Sequence, residues 1–71
     1  MSAMSFLGWS TKHVRPDGNG RTVAYVLDER GNRVAVSRTR VTGEEADAWA
    51  EEIAAEKVKN MGKIQLTSLQ D

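Results

Sequence analysis

Arginine dominates the side chains able to do chemistry in the first half of this chain. Lys12, Arg15, Arg21, Arg33, Arg38 and Arg40 fall there, joined by Ser37 and Thr39. Guanidinium groups donate in pairs to guanine edges and phosphate oxygens, and hydroxyls donate to phosphate, so the set matches the recognition of duplex DNA. The carboxylates are placed elsewhere. Residues 1–41 hold seven Lys/Arg against three Asp/Glu, a net of +4, and residues 42–71 hold three against seven, a net of −4. A formal total of zero therefore hides a polarised chain, basic on one side and acidic on the other. The sequence pI of about 6.6 lies well below the value above about 9 usual for nucleic-acid-binding domains. An anionic partner must then be met by one face only.

Other chemistries lack their residues. There is no cysteine, which removes disulfides, thiolate metal sites and thiol nucleophiles. His13, the sole histidine, sits among Lys12, Val14 and Arg15 without a second ligand at zinc spacing. Asp17-Gly18-Asn19-Gly20 lacks the remaining ligands of a calcium loop, and Gly18 and Gly20 precede a strand where a phosphate loop would need a helix. No serine or threonine lies in a nucleophile-elbow motif. The expectation is a protein that is not an enzyme, with no cofactor, metal or small-molecule substrate. No apolar run approaches the ~20 residues of a membrane span, and the N-terminal stretch lacks the basic and apolar parts of a secretory signal. A cytoplasmic protein without membrane contact is expected.

Length and periodicity decide what positions the basic residues. The 71 residues suffice for one small domain, 1–71, with modest burial, and small scaffolds without staples often lean on a partner or a second copy. Residues 5–14 read as a first strand with Gly8 as a weak point. Arg15 to Gly20 concentrate turn residues. Residues 21–27 alternate cleanly and form the best strand, Asp28-Glu29-Arg30-Gly31 makes a hairpin loop with glycine in the left-handed position, and 32–40 return as the third strand. A four-residue loop would pair Tyr25 with Val34 and Val23 with Val36. One face would then hold Val23, Tyr25, Leu27, Val34 and Val36, the apolar surface, and the other Thr22, Ala24, Val26, Arg33, Ala35 and Ser37. A three-residue loop with a bulge would reassign both faces. In the first register Arg21 and Arg38 are cross-strand neighbours.

Residues 43–60 read as a helix. Thr42 and Glu45 form a capping box, acidic residues crowd the first turns, and Lys57 and Lys59 fall in the last. Ala46, Trp49, Ala50, Ile53, Ala54 and Val58 recur at helical spacing and should pack on the sheet. Met61-Gly62 fits a stop. Residues 63–69 alternate at Ile64 and Leu66, which suits a short fourth strand or a partner-binding tail. The fold class expected is α+β, a three-stranded antiparallel sheet backed by one helix in the order β-β-β-α.

Strand, turn, strand, Asp-x-x-Gly hairpin, strand and acidic helix resemble the arm-site DNA-binding domain of phage-type tyrosine integrases over residues 20–56. The residues carrying the resemblance are Asp28-Glu29-Arg30-Gly31, the basic strand Arg33 to Arg40, and Glu45-Ala46-Asp47-Ala48-Trp49. The resemblance implies a sheet that enters the major groove with the helix behind it, with Arg33, Ser37, Thr39 and Arg38 facing DNA, and it suits a phage-type accessory protein. The chain departs from that pattern at Thr39-Arg40-Val41, where an aromatic is usual, and in its neutral net charge, and no catalytic domain is expected after it. A competing expectation is a protein-interaction module or homodimer that docks through a strand edge, Trp9 or the C-terminal tail. Trp9 would otherwise close one end of the core. The bland alternative is that the basic residues keep the sheet face solvated or pair with the acidic helix ends.

Overall fold

A computed structural model describes the backbone of residues 2–70 and the side chains of residues 2–62. The element order is α1 (Ala3–Leu7), β1 (Ser10–Val14), β2 (Arg21–Leu27), β3 (Arg33–Val36), β4 (Val41–Thr42) and α2 (Gly43–Gln70). The sheet is antiparallel in the order β1-β2-β3, with β4 also on β2, and α2 packs against β1, β2 and β4. This is the α+β arrangement expected, a sheet backed by one long helix.

Both hairpins are built by the same five-residue device. In the first, the Asp17 N–H donates to the Arg21 carbonyl and the Asp17 carboxylate accepts from the N–H groups of Asn19 (2.9 Å) and Arg21 (3.0 Å). In the second, the Asp28 N–H donates to the Asn32 carbonyl and its carboxylate accepts from Arg30 (2.9 Å) and Asn32 (2.8 Å). Each turn closes through glycine, Gly20 at φ 75 and Gly31 at φ 83, a left-handed conformation that only glycine adopts without steric cost. Asp-x-x-Gly therefore recurs as a structural unit: the short carboxylate replaces a missing backbone partner for two amides.

The second turn leaves three residues between Asp28 and Asn32, and its consequence runs through the sheet. The ladder pairs Leu27 with Arg33, then Val26 with Ala35 and Tyr25 with Val36, so Val34 is an extra residue in a bulge. This is the alternative register, and it overturns the pairing of Tyr25 with Val34. The buried face of β2 is Thr22, Ala24 and Val26, packed with Ala46, Ala50 and Ala54 of α2, and Val26 and the four alanines named are fully buried. Val23, Tyr25 and Leu27 lie on the opposite, open face, and Val36 there is 44% exposed. The expected inner and outer faces of β2 are exchanged. Helix and sheet meet through alanines, whose small side chains let the backbones approach closely.

The third strand is interrupted as well. Val36 lies opposite Tyr25, but Val41 lies opposite Thr22, two residues more than an unbroken ladder allows. Ser37 to Arg40 leave the edge of β2 as a short loop, and the chain rejoins at β4. Arg38 is consequently not the cross-strand neighbour of Arg21, which pairs with Thr42.

Both ends of the chain also differ from expectation. Residues 3–7 are helical and the first strand begins only at Ser10. The Ser2 hydroxyl accepts from the Ser5 N–H (3.0 Å), and Gly8, left-handed, caps the other end, so local capping overrides the strand reading. At the far end α2 does not stop at Gly62 but runs to Gln70. A glycine within a helix costs only about 1 kcal/mol relative to alanine, and no proline follows to break it. No fourth strand forms from 63–69, and Lys57 and Lys59 lie mid-helix. The docking role considered for the C-terminal tail, residues 63–69, rests on side chains outside the described ones. The capping box is present: the Thr42 N–H donates to Glu45 Oε1 (3.0 Å) and the Glu45 N–H to Thr42 Oγ1 (3.2 Å).

Candidate nucleic-acid interface

The open face of the sheet follows from register alone. Thr11 and His13 lie opposite Val26 and Ala24, so they face α2. The Thr11 hydroxyl is 3.5 Å from Asp47 Oδ1, and His13 Nε2 is 3.9 Å from the same oxygen. Ser10, Lys12 and Val14 face away, opposite Leu27, Tyr25 and Val23. Val36 and Arg33 join them from β3. The Arg33 guanidinium carbon lies 4.7 Å from the centroid of the Tyr25 ring, a cation–π contact on that face. Lys12 and Arg33 thus stand on either side of a strip formed by Val14, Val23, Tyr25, Leu27 and Val36.

A second group of cations gathers at the end of the same sheet. Arg40 Nη1 donates to the backbone carbonyl of Arg15 and lies 3.4 Å from that of Arg21. Arg15 is the one non-glycine residue with positive φ, at 53, among the described residues. It precedes Pro16, which already restricts its backbone, and the Arg40 side chain ties this strained turn to β2 and β4. Arg15, Arg21 and Arg40 are all exposed. Strain of this kind, of order 1–3 kcal/mol, persists where the surroundings hold it in place.

The other expected residues are placed differently. The Ser37 hydroxyl accepts from the Ala24 N–H (3.0 Å) and the Ser37 N–H donates to the Ala24 carbonyl (2.8 Å). The side chain closes the ladder where β3 departs, so its acceptor role is committed to the backbone. Arg38 and Thr39 are exposed in the 37–40 loop and line a shallow hollow with Val41, Glu45 and the half-buried Trp49. Lys12, Arg15, Arg21, Arg33 and Arg40 therefore lie on or at the end of the open face, Arg38 and Thr39 at its edge, and Ser37 within the ladder. The role of Tyr25 as the ring beneath Arg33 was not visible in the sequence, because the first register put the two on opposite faces.

None of the carboxylates forms an ion pair with these cations among the described residues, although Asp17 lies near Arg21 and Arg40, and Glu45 near Arg21. Asp17 and Asp28 hold the two turns, and Glu45 holds the helix cap. Glu29 accepts from Trp9 Nε1 (3.2 Å), and Glu51 accepts from the N–H groups of Ala3 and Met4 at the start of α1. Among the described residues the single contact between a basic and an acidic side chain within ion-pair distance is that of His13 with Asp47, and no arginine takes part. No group of three or more metal-ligating side chains occurs among them, and no helix of theirs is long and apolar enough to cross a membrane.

Two carboxyls titrate below their ordinary range. Hydrogen bonds from the Arg21 and Asn19 N–H groups, aided by the nearby Arg40 and Arg21 charges, lower Asp17 from 3.8. The N–H and hydroxyl of Thr42, with a smaller effect of Arg21, lower Glu45 from 4.5. A carboxyl whose pKa is depressed by folding stabilises the native state above its unfolded pKa, and that stabilisation is lost as pH falls through the folded value. The urea midpoint is expected to be level down to about pH 5 and to drop on further acidification. The Asp17→Asn/Glu45→Gln variant keeps the acceptor oxygens but cannot titrate, so its midpoint should fall less between pH ~5 and ~2.5. An identical fall in both proteins would contradict this assignment.

Comparison with protein-family models, curated proteins and solved structures finds no match for this chain.

Proposed function

We propose that this chain is a small non-enzymatic DNA-binding protein, acting in the cytoplasm, that meets duplex DNA with the open face of its sheet. One observation carries the reading. The side of the sheet that α2 leaves uncovered presents Lys12 and Arg33, with Arg15, Arg21 and Arg40 at its end, and carries no carboxylate on its strands. The acidic residues lie behind it on α2 or are tied into turns and caps. Arginines supply paired donors to phosphate and to guanine, and valine side chains between them suit thymine methyl groups in the major groove. Pairing of this face with itself across a two-fold axis is disfavoured, because Lys12 and Arg33 would confront their own copies. The resemblance to integrase arm-site domains supports the same orientation, sheet toward DNA and helix behind. In that setting the protein would act as a phage-type accessory factor.

Electrophoretic shift of a labelled duplex of ~20 bp at two salt concentrations tests the reading, since phosphate contacts impose a steep salt dependence. Absence of any shift at ~50 mM salt would end it.

A second reading, a homodimer, has its own observation. Phe6 (62% exposed), Val34 (43%) and Met61 (39%) surround a groove of about 520 Å³ that Leu7 and Trp9 also line. This groove lies at the end of the sheet opposite Arg15 and Arg40. A second copy closing on it would bury the exposed apolar groups, with Asp28, Glu29 and Lys57, which also line it, at the contact. Sedimentation velocity decides: a monomer at tens of micromolar that still shifts DNA eliminates the dimer.

A further inference from the structure

We infer that Arg33 is the residue of this interface that distinguishes base pairs, with guanine as its target, and that Tyr25 is the residue that positions it. The inference rests on the DNA-binding reading and adds the specificity determinant to it. Its starting point is the bulge. Val36 is on the open face opposite Tyr25, and strict alternation back along β3 would place Arg33 on the α2 side. The extra residue Val34 resets the alternation, so Arg33 lies opposite Leu27 and turns outward. Bulges commonly re-aim one side chain in this way.

Once outside, Arg33 is not left free. Its guanidinium sits over the Tyr25 ring at 4.7 Å, while Arg33 itself is exposed and pairs with no carboxylate among the described residues. Contact with an aromatic face restrains the planar guanidinium and leaves its N–H edge to meet a ligand. That edge matches the O6 and N7 acceptors of guanine in the major groove, a fit that a lysine ammonium cannot reproduce. Tyr25 in turn is fixed by position, on the central strand between Lys12 and Val36. The cations at the sheet end differ. Arg40 spends Nη1 on backbone carbonyls, and Arg15 and Arg21 flank it at the hairpin. They suit phosphates, which hold register without reading sequence.

The test is selection of bound duplexes from a random-sequence pool by the full chain, followed by affinity measurement on the selected duplex. Wild type should enrich a G·C pair at one position, and exchanging it for A·T should weaken binding about 5- to 150-fold. Arg33→Lys keeps one positive charge at that position but not the paired donors of a guanidinium. It should therefore lose both the enrichment and the penalty for exchange. Tyr25→Leu, checked for folding by thermal melting, should reduce the penalty for exchange, and a penalty equal to that of wild type would remove Tyr25 from the positioning role. A base preference retained by Arg33→Lys overturns the inference while DNA binding stands. Tighter binding of a single-stranded oligonucleotide than of the duplex also overturns it, because a base would then take the ring face that Arg33 occupies. Failure of wild type to bind any duplex instead removes the reading beneath it.

Discussion

Substituting leucine for Ala50 is expected to lower the unfolding free energy by about 1–3 kcal/mol, the usual cost of forcing extra methylenes into a packed interior. The reason lies in the exchanged faces of β2. Ala50 is fully buried between Ala46 and Ala54 along α2, on the side of the helix that packs against β1 and β2, where Ala24 and Val26 are also fully buried. A larger side chain there has to push the helix away from the sheet or adopt a strained rotamer. Chains of this length have a total stability of only about 4–10 kcal/mol, so the loss is a large fraction of the whole. Val36→Thr provides the contrast. Val36 is 44% exposed on the open face, and exchanging one methyl for a hydroxyl there should change stability by no more than about 0.5 kcal/mol. Urea denaturation of the three proteins at neutral pH measures both effects. Were Val36→Thr the costlier change, the core would lie on the valine face and the orientation of the sheet would have to be reversed.

That valine face is where sequence reasoning and structure part. Ranking by hydrophobicity puts Val23, Tyr25, Leu27 and Val36 inside, because they are the larger apolar groups. The deciding cue lay in the partner element. A helix stripe made of Ala46, Ala50 and Ala54 can approach only a surface of similarly small groups, and on β2 these are Ala24 and Thr22 beside Val26. Thr22 is admitted because its hydroxyl donates to the Val14 carbonyl at 2.8 Å, which satisfies a polar group that would otherwise be costly to bury. Features set by neighbouring residues were legible: both turns, the Thr42–Glu45 box, the strand at 21–27 and the start of α2. Those set by register were not. One extra residue at Val34 and two at Ser37–Arg40 leave no signature in composition, yet they decide that Arg33 points outward and that Arg38 leaves the ladder. Arg33 was expected on the side away from the helix and lies there, though through a bulge and an exchange of faces that offset one another.

The same geometry sets the size of the largest binding effect. With Lys12, Arg15, Arg21 and Arg40 at phosphates, release of counterions gives a slope of about −3.6 in log affinity against log salt, from ~0.9 per contact. Raising salt from ~50 to ~200 mM should then weaken binding about 150-fold. Arg21→Gln is the informative variant, since Arg21 is exposed at the start of β2 and, unlike Arg40, its side chain makes no hydrogen bond to the backbone among the described residues. Its charge does lie near Asp17 and Glu45, so folding is checked by thermal melting. The variant should flatten the slope by about 0.9 and weaken all duplexes alike. Arg40→Gln is less clean, because it also releases the carbonyls of Arg15 and Arg21. Glu52→Gln removes a charge from the exposed side of α2, behind the sheet, where screening over about 10 Å at ~0.1 M salt leaves little influence on the ligand. Its slope should equal that of wild type. A slope near zero for the wild type would mean that phosphates are not the ligand. A larger change from Glu52→Gln than from Arg21→Gln would place the anion on the helical side, where the folded chain gathers its own carboxylates and attraction would have to overcome them.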